Sequence, residues 1–187
     1  MESLTIVKGQ ESDRLAIYEV FSISITDAFA QEGLGHLKAD IEEEINTKCQ
    51  LLNRSLLVSD KSIIFLIAKI NGKVVGTISL GPLTNEITKI SGTQLKHSKE
   101  LGSLYILPEY QNQRIGSHLI DAIITKMREL NINNFWLDCG LKTAQKKWLH
   151  KFGKPYIIAK DYWGKDSDHM IWFCHTSDFK QICDKSN

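Results

Sequence analysis

A polar turn at residues 109–114 has the composition and the position to bind an anion. It follows an apolar run, residues 101–107, which contains β-branched and aromatic members and stops at Pro108. Because proline cannot donate to a sheet ladder, this run predicts a buried strand that ends abruptly. After the turn, the apolar residues fall on one face of a helix, namely Ile115, Leu119, Ile120, Ile123, Ile124, Met127 and Leu130. A strand that passes directly into a helix points unpaired N–H groups and the positive end of the helix dipole at one place, so we predict an anion site there.

The residues of this turn limit which anionic ligand it can bind. They form neither the Gly-x-x-x-x-Gly-Lys-Ser/Thr loop that cradles a nucleoside triphosphate nor the Gly-x-Gly-x-x-Gly turn of a dinucleotide site. The turn and the helix start read Gln111-Asn112-Gln113-Arg114-Ile115-Gly116-Ser117, and the strand before them ends in Leu104-Tyr105-Ile106-Leu107-Pro108. This stretch resembles the GNAT superfamily of acyl-CoA-dependent N-acyltransferases, whose pyrophosphate turn reads Gln/Arg-x-x-Gly-x-Gly/Ala after a strand of the form Leu-Tyr-Val-x-Pro. Gln111 matches the first position of that turn, and Gly116 matches the last.

The resemblance implies which residues bind acyl-CoA, with acetyl-CoA as the expected form. They are the end of the strand and the turn, that is Leu104, Tyr105, Ile106, Gln111, Asn112, Gln113, Arg114, Ile115, Gly116 and Ser117. Arg114 departs from the family, which usually has its first glycine there. We therefore expect ordinary helical backbone angles at Arg114 instead of a conformation reserved for glycine. Its guanidinium either adds charge at the pyrophosphate or lies along the surface.

Acylation of an amine requires a base and a donor for the developing oxyanion. An amine with a pKa near ~10 is neutral in only about one molecule in a thousand at pH 7, a handicap of roughly 4 kcal/mol. Glu100, at the start of the central strand, is the predicted base, acting directly or through water, and the alternative is an ordinary surface glutamate. By resemblance, the oxyanion donor is a backbone N–H near Ile106, and the acyl group passes directly to the amine without a cysteine or serine nucleophile.

The general acid that would protonate the leaving thiolate is the weakest part of the sequence pattern. Many relatives have a tyrosine in the short helix four residues before its closing glycine, and here Leu149 occupies that place before Gly153. His150 is adjacent but should point to a different helix face. Three alternatives stay open: Tyr105 or Tyr110 is the acid, solvent protonates the thiolate, or the chain does not catalyse efficiently.

Local patterns predict the elements that must position these residues. The clearest is a hairpin of residues 63–70 and 73–80, because Asn71-Gly72 between them favours a type I′ turn. The other predicted elements alternate strands and amphipathic helices, namely strands at 4–8, 135–139, 156–160 and 169–174, and helices at 12–25, 41–52 and 142–152. A long polar connection, residues 81–99, precedes the central strand. Glu42, Glu43 and Glu44 lie off the apolar face of their helix and are interpreted as a solvated surface.

This element order is that of the GNAT fold, in the α/β (α+β) class. The resemblance spans nearly the whole chain, although only residues 100–117 carry a specific motif. It implies a single domain over residues 1–187, with a mixed, mostly antiparallel sheet, a splayed parallel pair formed by the fourth and fifth strands, and about four helices. A βαβ crossover would join that parallel pair. Residues 175–187 are polar and are expected to form a flexible tail.

Composition argues against several classes of function. Lys and Arg total 23 against 22 Asp and Glu, a net charge of +1, so neither nucleic acid nor a membrane is expected as the main partner. The longest apolar run, residues 63–68, is too short to span a bilayer, and the first residues lack the pattern of a signal peptide. The four cysteines, at positions 49, 139, 174 and 183, are far apart and indicate free thiols in a reducing compartment, so a cytoplasmic location is expected. The six histidines do not cluster at ligand spacings, so no metal site is expected.

Two functions of different classes follow. The first is an acyl-CoA-dependent N-acyltransferase that acts on a primary amine of a small molecule or a peptide. The second is a non-catalytic module that binds CoA and has lost the general acid. The acceptor has no recognisable motif in the sequence, and assembly as a homodimer stays open.

Overall fold

The hairpin at Asn71 and Gly72 supplies two neighbouring strands of the sheet. In the computed structural model, which describes residues 3–57, 60–92 and 98–179, these two residues have positive φ angles of 50° and 83°, as a type I′ turn requires. They join β2 (Ile64–Ile70) to β3 (Lys73–Gly81). After its first residue β3 is buried throughout, because helices pack on both of its faces.

Within the described residues, seven strands form one mixed sheet in the order β1-β2-β3-β4-β5-β7-β6. The remaining strands are β1 (Leu4–Lys8), β4 (Glu100–Ile106), β5 (Asn134–Cys139), β6 (Ile157–Ala159) and β7 (His169–His175). Every neighbouring pair is antiparallel except β4 and β5, which are parallel. The predicted fold class and the parallel pair are therefore confirmed.

Over the same described ranges, five helices flank this sheet: α1 (Arg14–Gln31), α2 (Lys38–Leu56), α3 (Asn85–Ser91), α4 (Ile115–Glu129) and α5 (Lys142–Phe152). Helix α4 buries its apolar stripe in the larger core, except for Leu130, which follows the helix and is 47% exposed. Helices α1 and α2 cover the opposite face of β2 and β3. Helix α3 lies inside the connection predicted to be irregular, and residues 93–97 of that connection lie outside the described residues. No helix in the described part of the chain is long and apolar enough to cross a membrane.

Strands β4 and β5 touch at one end and then separate. Their ladder contains a single register pair, Glu100 with Trp136, and Trp136 N donates to Lys99 O at 2.8 Å. A bulge in β4 accompanies the separation, since Ser103 has a φ of 48° and its carbonyl accepts a 2.7 Å hydrogen bond from Thr77 Oγ1. The result is a wedge between the two strands that opens toward the end of β4.

The segment after β7 returns to the protein before the description ends. A short 3₁₀ turn, Thr176–Asp178, follows β7, and Arg128 of α4 donates hydrogen bonds to Thr176 O and Phe179 O. The ring of Phe179 lies 5.9 Å from that of Phe135 in the core. Of the predicted flexible tail, residues 180–187 lie outside the described residues.

Candidate functional site

The turn between β4 and α4 presents a row of backbone N–H groups without acceptors. In the described ranges, none of the N–H groups of residues 112–117 has a hydrogen-bond acceptor, and the first bond that reaches back to the turn runs from His118 N to Arg114 O at 3.1 Å. These groups stand at the positive end of the α4 dipole. The predicted anion site is therefore available in the structure.

The turn is fastened by its own amide side chains. Gln111 Nε2 donates to Ile106 O at 3.2 Å, and Gln113 Nε2 donates to Glu109 O at 3.1 Å. Each bond ties a turn residue to β4 or to the short 3₁₀ turn Pro108–Tyr110 that follows β4. Two of the predicted binding residues therefore use their side chains to shape the turn, which leaves the backbone N–H groups free to bind.

Two residues of the turn adopt left-handed backbone angles. Asn112 has a φ of 61°, and Arg114, the residue that caps α4, has φ 63° and ψ 7°. The expectation of ordinary helical angles at Arg114 is therefore wrong. Arg114 takes the conformation that a glycine would adopt there, because the chain must reverse sharply before α4 can begin, and the Cβ of an arginine makes that conformation cost about 1–2 kcal/mol. Left-handed residues in a short turn also direct successive N–H groups inward, which favours an anion.

The space in front of these N–H groups is open. A Cβ added at Gly116 would meet one neighbour, Leu104 Cδ2, at an ordinary 3.9 Å. The protein itself therefore leaves room for a side chain at position 116. The guanidinium of Arg114 is exposed, and no ion pair or hydrogen bond joins it to the described residues. It is free to contact a bound anion.

The edge of β4 that faces the wedge carries a further donor at Ile106. Leu107 N donates to Val75 O at 3.0 Å, so the alternation of an antiparallel ladder turns the N–H of Ile106 away from β3. Strand β5 has already diverged at this point. The N–H predicted as the oxyanion donor consequently faces the wedge between the two strands.

Glu100, the predicted base, lies at the closed end of the wedge. It is buried, with 8% of its surface exposed, and its Oε2 accepts a 2.6 Å hydrogen bond from Thr84 N. Burial first, and then the charge of Asp138, raise the pKa of Glu100 from 4.5 to about 8. A carboxylate with such a pKa can hold or release a proton near neutral pH, which is what a general base requires. Glu100 is therefore not an ordinary surface glutamate.

Asp138 and His169 form a second ionisable pair beside Glu100. Asp138 lies near the end of β5, and its Oδ2 is 3.1 Å from Nε2 of His169, the first residue of β7. The hydroxyl of Thr84 also donates to Asp138 Oδ2, at 3.4 Å. On its far side, His169 accepts a 2.9 Å hydrogen bond from the indole N–H of Trp163.

Helix α2 adds two charged side chains to the same region. Glu44 accepts a 2.8 Å hydrogen bond from the hydroxyl of Tyr105 and forms a 3.2 Å ion pair with Lys48. Burial lowers the pKa of Lys48, but the charges of Glu44, Glu100 and Asp138 together outweigh it, so the pKa is raised. The interpretation of residues 42–44 as a solvated surface is therefore wrong for Glu44, which is only partly exposed, and agrees with Glu42 and Glu43, which are exposed.

In the described part of the chain, neither Leu149 nor Tyr105 is suited to act as the general acid. Leu149 is 41% exposed and has no ionisable atom. The hydroxyl of Tyr105 is held by Glu44, and burial among carboxylates raises the pKa of Tyr105 well above its usual value, which makes it a poor proton donor. Tyr110 packs beneath the ammonium of Lys73, 5.3 Å from its ring centre.

Asp138, His169, Thr84, Glu44 and Lys48 were not found from the sequence. Four of them stand alone in the sequence, and Glu44 lies in an acidic run typical of a solvated face. They meet only because β7 pairs with β5 and α2 packs across the sheet. A single sequence contains no local signal for such a meeting. Among the described residues, no group of three His, Cys, Asp or Glu side chains is arranged to hold a metal ion.

The arrangement places two kinds of chemistry at opposite ends of β4. The turn after β4 offers N–H donors to an anion, and the start of β4 offers a carboxylate that exchanges a proton. A strand of this length separates them by about 20 Å. An elongated ligand with an anionic group at one end and a reactive group along an extended arm fits this layout.

Comparison with known proteins gives a family match and similar folds. The model of the acetyltransferase (GNAT) family matches residues 19–153. No functionally curated protein matches the sequence. Among solved structures, PaiA N-acetyltransferase from Thermoplasma acidophilum, in complex with coenzyme A, is similar with a TM-score of 0.64 and 22% identity over 91% of this chain and 98% of that one.

Two further structures show the same fold. Ribosomal-protein-alanine N-acetyltransferase from Brucella melitensis has a TM-score of 0.63 and 22% identity over 91% of this chain and 99% of that chain. Ribosomal-protein-S18-alanine N-acetyltransferase from Escherichia coli has a TM-score of 0.61 and 15% identity, covering 96% of this chain and 98% of that chain. At these identities the similarity concerns the fold.

Proposed function

The chain belongs to the acetyltransferase (GNAT) family, and we propose that it transfers an acyl group, acetyl in the simplest case, from acyl-CoA to a primary amine of a small molecule or a peptide. One observation carries the proposal: the row of unpaired N–H groups at residues 112–117 faces open space at the start of α4. That row suits the diphosphate of coenzyme A. The open edge of β4 suits the amide-containing arm that leads from the diphosphate to the thioester.

The residues of the wedge then have distinct roles. The acceptor nitrogen forms a bond to the thioester carbonyl carbon, the carbon–sulfur bond breaks, and the CoA sulfur leaves with the electron pair. The N–H of Ile106 stabilises the oxyanion that develops during attack. Glu100 lies at the other end of β4 from Ile106, so it takes the proton that the amine loses through intervening water, and its pKa of about 8 lies close to neutral pH.

Direct attack by the amine is favoured over a covalent acyl-enzyme intermediate. Cys139 lies at the end of β5, but its thiol donates to Leu141 O at 3.4 Å, and burial raises its pKa to about 12. A thiol with this pKa is almost entirely protonated at neutral pH and is a poor nucleophile.

A non-catalytic CoA-binding module is the second candidate. Leu149 favours it, because this residue stands where many relatives have the tyrosine that protonates the leaving thiolate. The module would retain the anion site and need no proton acceptor.

A thermal shift measurement tests what both candidates share. Coenzyme A added well above its dissociation constant should raise the melting temperature, because a ligand that binds only the folded state stabilises it by about 2.7 kcal/mol at a hundredfold excess over Kd. No shift at millimolar coenzyme A contradicts both candidates.

Release of free thiol from acetyl-CoA across a panel of primary amines separates the two. The transferase should release thiol with at least one amine, and Glu100→Gln should slow that release by about a hundredfold or more. Glu43→Gln is the matched control, since Glu43 is an exposed glutamate of α2 and its substitution should leave the rate unchanged. Tight binding of CoA without thiol release for any amine supports the module instead.

A further inference from the structure

We propose that Asp138, His169 and Trp163 are positioning residues that hold a fixed negative charge beside Glu100, and so set the pH at which this carboxylate takes the proton of the acceptor. This inference rests on the proposed role of Glu100 as the base. It concerns residues of β5, β7 and the loop before β7, which the sequence pattern did not single out.

The hydrogen bonds define the protonation state of His169. An indole N–H can only donate, so Trp163 Nε1–H donates to Nδ1 of His169 at 2.9 Å, and Nδ1 carries no proton. The proton of the neutral imidazole is then on Nε2, which donates to Asp138 Oδ2 at 3.1 Å. His169 is thereby held neutral, and it orients Asp138 without cancelling its charge.

Thr84 holds the two carboxylates next to each other. Its backbone N–H donates to Glu100 Oε2 at 2.6 Å, and its hydroxyl donates to Asp138 Oδ2 at 3.4 Å. Asp138 therefore has two side-chain donors, from Thr84 and His169, whereas Glu100 lies deeper. When two carboxylates share a site, the better hydrated or better hydrogen-bonded one stays ionised and the other holds its proton to higher pH. The direction of the pKa shift at Glu100, raised by burial and by Asp138, agrees with this assignment.

Other ionisable groups face this pair from three elements, namely Lys48 and Glu44 of α2, Tyr105 of β4 and Cys139 of β5. Lys48 opposes the effect of Asp138, because its ammonium favours the ionised form of Glu100. Its ion pair with Glu44 at 3.2 Å reduces that influence. Tyr105 and Cys139 have pKa values raised by burial, so both are neutral at neutral pH. The negative charge of Asp138 is thus the main control on Glu100 from neighbouring side chains.

The surroundings of Trp163 keep its N–H directed inward. The indole is 56% exposed, yet its Nε1 lies so close to Gly140 that a Cβ added there would be 2.7 Å away. The loop that carries Trp163 is tied by Asp168, which forms an ion pair with Lys160 at 2.5 Å and accepts a 3.1 Å hydrogen bond from Asp161 N. The backbone of Trp163 is held as well, since its N–H donates to Ser167 O at 3.0 Å.

The test is a titration of the Glu100 carboxyl by carbon-13 NMR of the ligand-free protein, with the signal assigned by its loss in Glu100→Gln. Asp138→Asn keeps the shape of the side chain and removes its charge, so the midpoint should fall by about one pH unit or more. Trp163→Phe leaves Nδ1 of His169 free to take a proton, which places a positive charge beside Asp138. The midpoint should then fall as well, by less than in Asp138→Asn.

Two further variants separate charge from damage to the fold. Gly140→Ala should displace the indole and lower the midpoint as Trp163→Phe does, with Trp163 and His169 themselves unchanged. In a His169→Gln background no imidazole can protonate, so adding Trp163→Phe should produce no further fall. A midpoint that stays within about 0.2 pH unit of wild type in Asp138→Asn overturns the proposal, and so does a Trp163→Phe effect that persists in the His169→Gln background.

The titration requires neither acyl-CoA nor an acceptor, so its outcome is independent of the proposed function. If the midpoints move as expected while no amine is acylated, the charge coupling stands and the transferase assignment fails. If an amine is acylated, the acid limb of kcat/KM should move to lower pH in Asp138→Asn, whereas a purely structural role would lower the rate at every pH without moving the limb.

Discussion

Replacing Gly116 with aspartate and with asparagine separates the stability of α4 from its affinity for an anion. Both side chains have the same shape, and a Cβ at this position meets only Leu104 Cδ2 at 3.9 Å, so neither should disturb the fold. Gly116 is the second residue of α4. An acidic side chain there interacts favourably with the helix dipole, so Gly116→Asp should be more stable than Gly116→Asn by about 0.3–1 kcal/mol. For a chain of this length that difference corresponds to roughly 1–4 °C in Tm.

The same charge should act against coenzyme A. A carboxylate roughly 5 Å from a diphosphate with two charges is repelled by about 1.7 kcal/mol even with the full screening of water, and by more in a less polar site. Because 1.4 kcal/mol corresponds to a factor of ten, Gly116→Asp should bind coenzyme A at least about tenfold more weakly than Gly116→Asn. At a concentration a hundred times the Kd of the asparagine variant, the stabilisation by the ligand falls from about 2.7 to about 1.4 kcal/mol.

Differential scanning fluorimetry with and without coenzyme A measures both effects on the same samples. The aspartate variant should melt higher without the ligand and gain only about half as much from it. The difference in affinity should shrink as salt is added, because exposed charges are screened. Thr125→Asp places the same charge on an exposed position further along α4 and should leave the affinity unchanged. Equal affinities of the two Gly116 variants would refute the placement of the diphosphate at this helix end.

Three other substitutions test separate parts of the account. Arg114→Gly should raise the free energy of unfolding by about 1 kcal/mol in urea denaturation, because glycine adopts the left-handed angles without strain. Arg114→Ala keeps a Cβ and should leave the free energy of unfolding unchanged, so equal stabilities of the two variants would contradict this reasoning. The folded-state pKa of Glu100 is raised from 4.5 to about 8, so the protonated carboxyl stabilises the fold fully below pH 4.5, and this stability is lost as the pH rises toward 8, by at most about 1.4 kcal/mol per pH unit. Glu100→Gln should therefore gain stability relative to wild type across that window, and parallel pH profiles of the two proteins would argue against it. Tyr105→Phe removes the hydrogen-bond donor to Glu44 and should destabilise the fold by about 1–2 kcal/mol without abolishing acyl transfer. A large loss of the acyl-transfer rate would instead identify Tyr105 as the general acid.

The parts of the fold that local chemistry determines were predictable. The Asn71-Gly72 turn, the stripe of α4 and the limits of α5 depend on residues that are near in sequence, and each agrees with the structure. Helix α3 was missed because its seven residues, Asn85–Ser91, are too few to establish a periodic pattern within a polar connection.

Long-range register and backbone strain were not predictable. Asp138 reaches His169 because β5 and β7 pair in a register that places Cys139 opposite Met170, and no pattern in either strand specifies that register. The backbone of Arg114 was predicted from the residue type, but the geometry of the turn determines it. Glu44 has the pattern of a surface residue when its helix is considered alone, because that pattern does not include Tyr105, which packs against it.

The backbone N–H groups at the start of α4 are proposed to bind the diphosphate of coenzyme A. Titration of nitrogen-15-labelled protein with coenzyme A, followed by amide NMR, observes these groups directly. The largest shift changes should fall on residues 112–117, and they should be absent when pantetheine, which lacks the diphosphate, replaces coenzyme A. Binding of coenzyme A that leaves these amide signals in place while others move would contradict the account.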